Sequence, residues 1–268
     1  MNNILRVWEL HADPTVHDGQ FKLSLKCKLE NGPAETDDIL FCEWHPKGNA
    51  ILCGGKDYML WIMNGANGAF LASLGGHEDE VLCAKFTPTG KQIISSSADR
   101  TIRVWSPIKN QCIHVIRQTM PGDGFHEDPI NVFELHPQQP LVVSGDLSGR
   151  VCFSNYSTGE KGRTLGQHGD SVEGIVFCKL AELPFFVSVA MDSKIIIYDW
   201  KDTKIRQTIE TGESGFTSVK FSLLEPHCII ASSSNGNLLI IDVRSGDILK
   251  KYKGHAAPIN DFIEVPQH

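Results

Sequence analysis

Apolar and polar residues alternate in short runs along almost the whole chain, and turn residues break the runs at regular intervals. The segments DDILFCEWHPKGNAILCGG, DEVLCAKFTPTGKQIISSS, DPINVFELHPQQPLVVSGD, DSVEGIVFCKLAELPFFVSVA and GFTSVKFSLLEPHCIIASSS share one design. An alternating run closes on a large residue, a turn follows, and a second apolar run ends in Gly, Ser or Ala. The large residues are Trp44, Phe86, Leu135, Phe177 and Phe221, spaced 42, 49, 42 and 44 residues apart. A third alternating run follows in each unit (YMLWIM, TIRVWS, RVCFSN, KIIIYDW, NLLIIDV), then a turn, then a fourth run (AFLASL, QCIHVI, KGRTLG, KIRQTI, ILKKYK). Period-two alternation rich in β-branched residues predicts strands, here named a to d, and no segment sustains a helical period. Four strands repeating about every 40–45 residues predict an all-β propeller.

The two ends read differently. ILRVWEL (residues 4–10) resembles a strand c and FKLSLKCKL (21–29) its strand d, while Gly254-His255 opens a unit whose strand a, PINDFIEV, stops. The expectation is one propeller domain over residues 1–268, with five complete blades and a sixth that is split or partial. Propellers remove open edges by pairing strands from both ends; here either closure is imperfect or the chain is part of a larger ring. Glu264 stands where the other units carry Trp, Phe or Leu, a departure from the repeat.

The repeats resemble the WD40 family over almost the whole chain, most closely at Gly76-His77, the ISSSAD turn and Val104-Trp105-Ser106. That resemblance implies a structural tetrad, a chain of hydrogen bonds tying the d–a loop to strands b and c. It maps onto His77, Ser95, Asp99 and Trp105, and in a weaker copy onto His168, Ser188, Asp192 and Tyr198. In the unit between these two, Ser154 stands at the Trp position and Ser148 at the Asp position. In the last complete unit Asn235 and Ile241 replace Asp and Trp, so packing alone is expected to hold both.

Ser, His and Asp also compose a hydrolase triad. A nucleophile needs exposure, an oxyanion hole and a cleft. Ser95 instead lies in interior-strand sequence, without a GxSxG elbow, and a near-copy of the trio recurs in another unit. No catalytic residue is assigned, and the protein is expected not to be an enzyme. No Walker loop, dinucleotide glycine pattern or HExxH motif occurs, and none of the eight cysteines forms a CxxC pair. No cofactor and no metal are therefore expected. His45 and His136 precede prolines at the a–b turns, where solvation or turn packing is expected.

Composition places the chain among soluble globular proteins, at 41% hydrophobic and 21% charged. Reduced cysteines, the lack of a secretory h-region and the lack of a bilayer-length apolar run predict a cytoplasmic protein, with the nucleus as a second location, and no membrane insertion is expected. A monomer is expected. The net charge of −7 argues against direct nucleic-acid binding. The acids concentrate in the d–a loops: Glu35, Asp37 and Asp38; Glu78, Asp79 and Glu80; Asp123, Glu127 and Asp128; Asp170; Glu213. The opposite loops carry Lys47, Lys91, Lys109, Lys161, Arg163, Lys179, Lys201, Lys204 and Arg244. The acidic loops are either solvated surface or a docking face for a basic partner. Asp37, Asp38, Glu78, Asp79, Glu80, Glu127, Asp128 and Asp170 would supply its charge, and Phe125 and Phe216 would anchor the partner.

The order of segments resembles a narrower group, the angio-associated migratory cell protein family and its fungal relative, a dedicated ribosomal-protein assembly chaperone. EWHPKGNAILCGGKDYMLWIMNGANG, TPTGKQIISSSADRTIRVWSPIKNQCIHVI and RSGDILKKYKGHAAPINDF carry the resemblance, which runs from Ile4 to Ile263. It implies an eight-bladed ring of which this chain covers the middle and later blades. It also implies a non-enzymatic role, capture of a basic large-subunit ribosomal protein segment on an acidic surface; the animal relatives imply a signalling or trafficking scaffold instead.

Overall fold

The computed structural model describes residues 5–12, 21–28, 38–180 and 183–265, and every described element is a β-strand. The chain divides into two compact units, Met1–Val115 and Ile116–His268. In the first, β1 (Arg6–Ala12) and β2 (Phe21–Lys28) form an antiparallel hairpin. Two four-stranded sheets follow: β3 (Ile39–Trp44), β4 (Ala50–Gly55), β5 (Met59–Asn64) and β6 (Phe70–Gly75), then β7 (Val81–Phe86), β8 (Ile93–Ser97), β9 (Ile102–Ser106) and β10 (Gln111–Ile116).

The second unit holds three more such sheets. They are β11 (Val132–Leu135), β12 (Leu141–Gly145), β13 (Arg150–Asn155) and β14 (Glu160–Gln167); β15 (Val172–Phe177), β16 (Phe185–Ala190), β17 (Lys194–Asp199) and β18 (Lys204–Glu210); and β19 (Phe216–Phe221), β20 (Cys228–Ser233), β21 (Asn237–Asp242) and β22 (Ile248–Lys253). Each is a consecutive antiparallel meander, the form expected of a propeller blade, and the fold class is all-β. Trp44, Phe86, Leu135, Phe177 and Phe221, which set the sequence period, are each the last residue of a strand a.

Burial follows strand position. The b strands β8, β16 and β20 are buried along their whole length, whereas the d strand β22 is exposed along its whole length. A b strand has neighbours on both edges and both faces, so its sequence is a continuous apolar and small-residue run rather than an alternation. In the first unit Leu52, Leu60, Leu74, Val81, Ile93 and Trp105 fill the space between the two sheets. In the second, one cluster joins Val143, Val172, Phe177, Phe186 and Tyr198, with Phe186 stacked on Tyr198 at 4.4 Å, and another joins Val187, Ile197, Phe216, Ile229 and Leu239.

The repeat extends to backbone conformation. The b–c turns place Tyr58, Arg100, Gly149, Ser193 and Gly236 at positive φ, and the c–d turns do the same with Gly68, Asn110, Gly159, Thr203 and Gly246. In each turn two of the five blades supply glycine, or three, and the rest hold an L-residue in the left-handed region at a cost of about 1–2 kcal/mol. At Gly149 a Cβ would also stand 2.4 Å from the His168 carbonyl oxygen.

PINDFIEV forms no strand among the described residues. It lies against β19 instead: Thr217 Oγ1 donates to the Ile259 carbonyl at 2.5 Å, Lys220 pairs with Asp261 at 2.6 Å, and Ser222 Oγ donates to Glu264 at 2.9 Å. Glu264, the residue that breaks the repeat, thus accepts bonds at the β19–β20 turn. The expected strand lacks a ladder because no following b strand pairs with it among the described residues.

Candidate functional site

The best-formed polar cluster lies in the sheet β7–β10. Trp105 Nε1 donates to Ser95 Oγ at 2.8 Å, Ser95 Oγ meets His77 Nε2 at 2.7 Å, and His77 Nδ1 meets Asp99 Oδ2 at 2.8 Å. One proton assignment satisfies every atom: the serine hydroxyl donates to Nε2, and Nδ1–H donates to the carboxylate. Asp99 also accepts from Thr101 Oγ1 at 2.7 Å and from the Glu78 backbone N–H at 3.1 Å. Burial holds the His77 pKa below the ordinary imidazole value, against the opposing pull of Asp99. At Asp99 burial acts to raise the pKa, but the bonds and charge of His77, with Thr101 and the Glu78 N–H, outweigh it and leave the carboxyl well below its usual range. The resting state is therefore neutral imidazole beside carboxylate.

The Ser–His–Asp distances are those of a charge-relay trio, so distance alone does not separate a staple from a nucleophile. Solvent access does. Ser95 is 0% exposed and its oxygen already receives the Trp105 N–H, so the hydroxyl faces neither a cleft nor an oxyanion hole.

The same network recurs in the second unit. His168 Nδ1 lies 3.1 Å from both Asp192 oxygens, His168 Nε2 lies 2.7 Å from Ser188 Oγ, and Tyr198 OH is 3.3 Å from that hydroxyl. Asp192 accepts the Gly169 N–H at 2.8 Å, as Asp99 accepts that of Glu78. Each cluster therefore pins the loop that follows its histidine.

The blade between them corrects a sequence expectation. The carboxylate there is Asp146, not the position of Ser148, and the histidine is His126: Nδ1 meets Asp146 at 2.7 Å and Nε2 meets Ser144 at 2.7 Å, all fully buried. Ser148 instead donates to Asp146 Oδ1 at 2.8 Å. The carboxylate has moved two residues within the turn while its target has stayed in place. A signal was available, since His126 precedes Ser144 by 18 residues, as His77 precedes Ser95. In the sheet β3–β6 the displaced partner is the indole: Trp61 Nε1 donates to Asp57 at 2.6 Å, with fully buried Met63 two residues further on. In the last blade buried Glu213 accepts from Asn235 at 2.9 Å and Asn237 at 2.8 Å and pairs with Lys251. Packing alone does not hold these blades.

The acids divide into structural and surface groups. Asp123 pairs with Lys161 and accepts from Thr119 at 2.9 Å, so this acid and this base, expected at opposite ends of the blades, meet. The long loop before β11 folds back along β14 and brings them together. Phe125 and Phe216 are both 0% exposed. They are core residues: Phe125 is drawn under its loop, whereas Phe216 is the first residue of β19 and packs in the core cluster with Val187 and Ile197, and neither can anchor a partner. Glu78, Asp128 and Asp170 are exposed, Asp79 and Glu80 are half-buried, and Glu127 lies 3.5 Å from Arg150. Glu78, Asp79, Asp128 and Asp170 make no ion pair among the described residues. Asp38 pairs with Lys56 at 2.8 Å, and the Lys56 pKa rises through that bond, the Asp38 charge and, beyond it, the charge of Glu80. Asp37 lies outside the described residues, as does Glu35.

At the other end of the blades, His136 packs its ring on Trp200 at 4.5 Å and Phe177 at 5.1 Å, and His45 packs on Phe86 at 4.8 Å and bonds to the Gly90 carbonyl at 3.2 Å. Both are turn-packing residues that join adjacent sheets of one unit. All eight cysteines are free thiols, and among the described residues no helix is long and apolar enough to cross a membrane.

Comparison with known proteins agrees with this architecture. Residues 68–106, which contain the best-formed network, match the family model "WD domain, G-beta repeat". The chain is 24% identical to human angio-associated migratory cell protein over 98% of its own length and 58% of that protein. It is 31% identical to mouse pre-mRNA-processing factor 19 over 65% of this chain and 33% of that protein. It is also 27% identical to an uncharacterised WD-repeat protein of Schizosaccharomyces pombe, over 72% and 49% respectively. The chain thus spans less than two thirds of the length of each of these relatives.

Proposed function

We propose that this chain, a WD40-repeat protein, is a non-enzymatic interaction scaffold whose d–a loops capture a basic protein segment, and that this segment belongs to a large-subunit ribosomal protein. WD40 domains mediate protein interactions. One observation carries the more specific reading: Asp99 holds the Glu78 backbone N–H at 3.1 Å, so the staple fixes the Glu78-Asp79-Glu80 loop in place. A fixed cluster of acids offers a cationic segment a preorganised field, which raises the encounter rate and excludes acidic competitors. In the second unit Asp170 stands beside Gly169, pinned by Asp192 in the same way. A basic ribosomal segment is a suitable cargo, since in free form it binds stray RNA. The resemblance to the chaperone's family supports this cargo, and the loop charges supply the chemistry. No cofactor is required.

A second reading is a signalling or trafficking scaffold. The hairpin β1–β2 favours it, exposing Trp8 at 54% and Leu23 at 62%, apolar area of the kind a protein partner covers. Affinity purification with mass spectrometry separates the two. Salt-sensitive recovery of a basic large-subunit ribosomal protein supports the first. Recovery of receptor or cytoskeletal proteins, with no ribosomal protein, supports the second and removes the first.

A further inference from the structure

The β19–β20 turn gathers three different metal-ligating side chains. Glu225, His227 and Cys228 each offer one ligand atom, and these atoms lie within 4.8 Å of one another. The turn holding them is fixed. Ser222 Oγ accepts from the Leu224 and Glu225 backbone N–H groups at 3.2 and 3.0 Å, the Cys228 N–H donates to the Glu225 carbonyl at 2.8 Å, and Pro226 sets φ between Glu225 and His227. His227 is held from the other side, where its carbonyl accepts the Val243 N–H at 3.0 Å. Cys228 pairs in register with Asp242 on β21.

The geometry points to a site for a single borderline-soft divalent cation of the zinc class, ligated by Glu225, His227 and Cys228. Thiolate with imidazole selects such ions over magnesium and calcium, which take oxygen ligands. Zinc bonds of about 2.0–2.3 Å place tetrahedral ligands closer together than the widest separation here, and exposed Glu225 is free to swing inward. Asp242 is not a fourth ligand, because Arg244 already holds it through two bonds at 3.1 and 2.8 Å. Its carboxylate lies 3.8 Å from His227 Nε2, an ion-pair distance beyond hydrogen-bond reach. Three protein ligands leave a position for solvent or a partner's side chain. Cys228 Sγ donates to Glu225 Oε2 at 3.3 Å; on binding, the cation replaces that proton, and one proton is released to solvent for each ion taken up.

Cobalt(II) titration of the purified, reduced protein, followed by zinc competition, tests the site. The wild type should bind one equivalent of cobalt with a thiolate-to-metal charge-transfer band that zinc abolishes. The Cys228→Ser variant should lose the band, and Cys42→Ser should keep it. Because Cys228 is buried, the exposed Glu225→Gln change supplies a test that spares the core. It should weaken zinc binding about tenfold or more, with an unchanged thermal melt of the metal-free protein. No band in the wild type, a band that survives Cys228→Ser, or zinc affinity unchanged in Glu225→Gln would each overturn the assignment.

Discussion

Ser95 Oγ lies 2.7 Å from His77 Nε2 and receives the Trp105 indole at 2.8 Å, so one buried hydroxyl joins strand b, strand c and the incoming loop. Replacing it leaves an indole N–H and an imidazole nitrogen without a partner in a dry interior. Ser95→Ala should lose about 1–3 kcal/mol of stability, read by urea unfolding. A midpoint equal to wild type would show that the network does not staple the blade.

Asp146 and Ser148 give a sharper contrast, because the sequence repeat favours one and the structure the other. Asp146→Ala removes the acceptor for His126, Ser148 and two backbone amides. It should cost about 1–3 kcal/mol, and Ser148→Ala should cost clearly less. Equal losses in thermal melts would contradict the placement of the carboxylate.

Protonation links the three staples to pH. Burial depresses the pKa of His77, His126 and His168 below 6.5. The unfolded chain therefore binds protons near pH 6.5 that the folded chain refuses, so stability is full above that value and falls as pH drops through it. Asp99 and Asp146 are also depressed, and their contribution goes at lower pH, below the ordinary carboxylate value of 3.8. Thermal melts at constant ionic strength should show a lower Tm at pH 5.5 than at 7.5, and a flat profile would refute the assignment.

Arg100 is exposed and sits at φ 66° in the b–c turn, where two blades carry glycine. Arg100→Gly relieves the left-handed strain and adds unfolded-chain entropy, which offsets part of the gain. A net stabilisation of about 0.5–1 kcal/mol is expected from these opposed effects, measured by denaturant unfolding; a net loss would show that the turn carries no strain.

The fold was legible because a repeat multiplies weak signals. No single alternating run identifies a blade, but five in register do, and the residues that set the period close their strands. The staples were legible where the strand-b serine, the turn aspartate and the strand-c aromatic keep their spacing, as in Ser95, Asp99 and Trp105 and in Ser188, Asp192 and Tyr198. They were hidden where a polar group shifts by two positions: Asp146 still reaches its histidine, and Trp61 bonds the turn carboxylate Asp57 instead of a strand-b hydroxyl. Phe125 misled because a loop's sequence does not state which of its side chains fold under it, and Phe216 because the last strand a already begins at that residue. Glu213 and Asp123 misled for a related reason: Lys251 and Lys161 are distant in sequence, and only the fold brings them to these acids.

The central claim is that the staple-held acids bind a basic segment. The direct measurement is a fluorescence anisotropy titration of a labelled Lys/Arg-rich ribosomal peptide at several salt concentrations, comparing wild type with the Glu78→Lys, Asp79→Lys, Glu80→Lys triple variant. The wild type should bind less tightly as salt rises, and the variant should bind about tenfold or more weakly with a flatter salt dependence. Equal affinity and equal salt slopes for the two proteins would contradict the account.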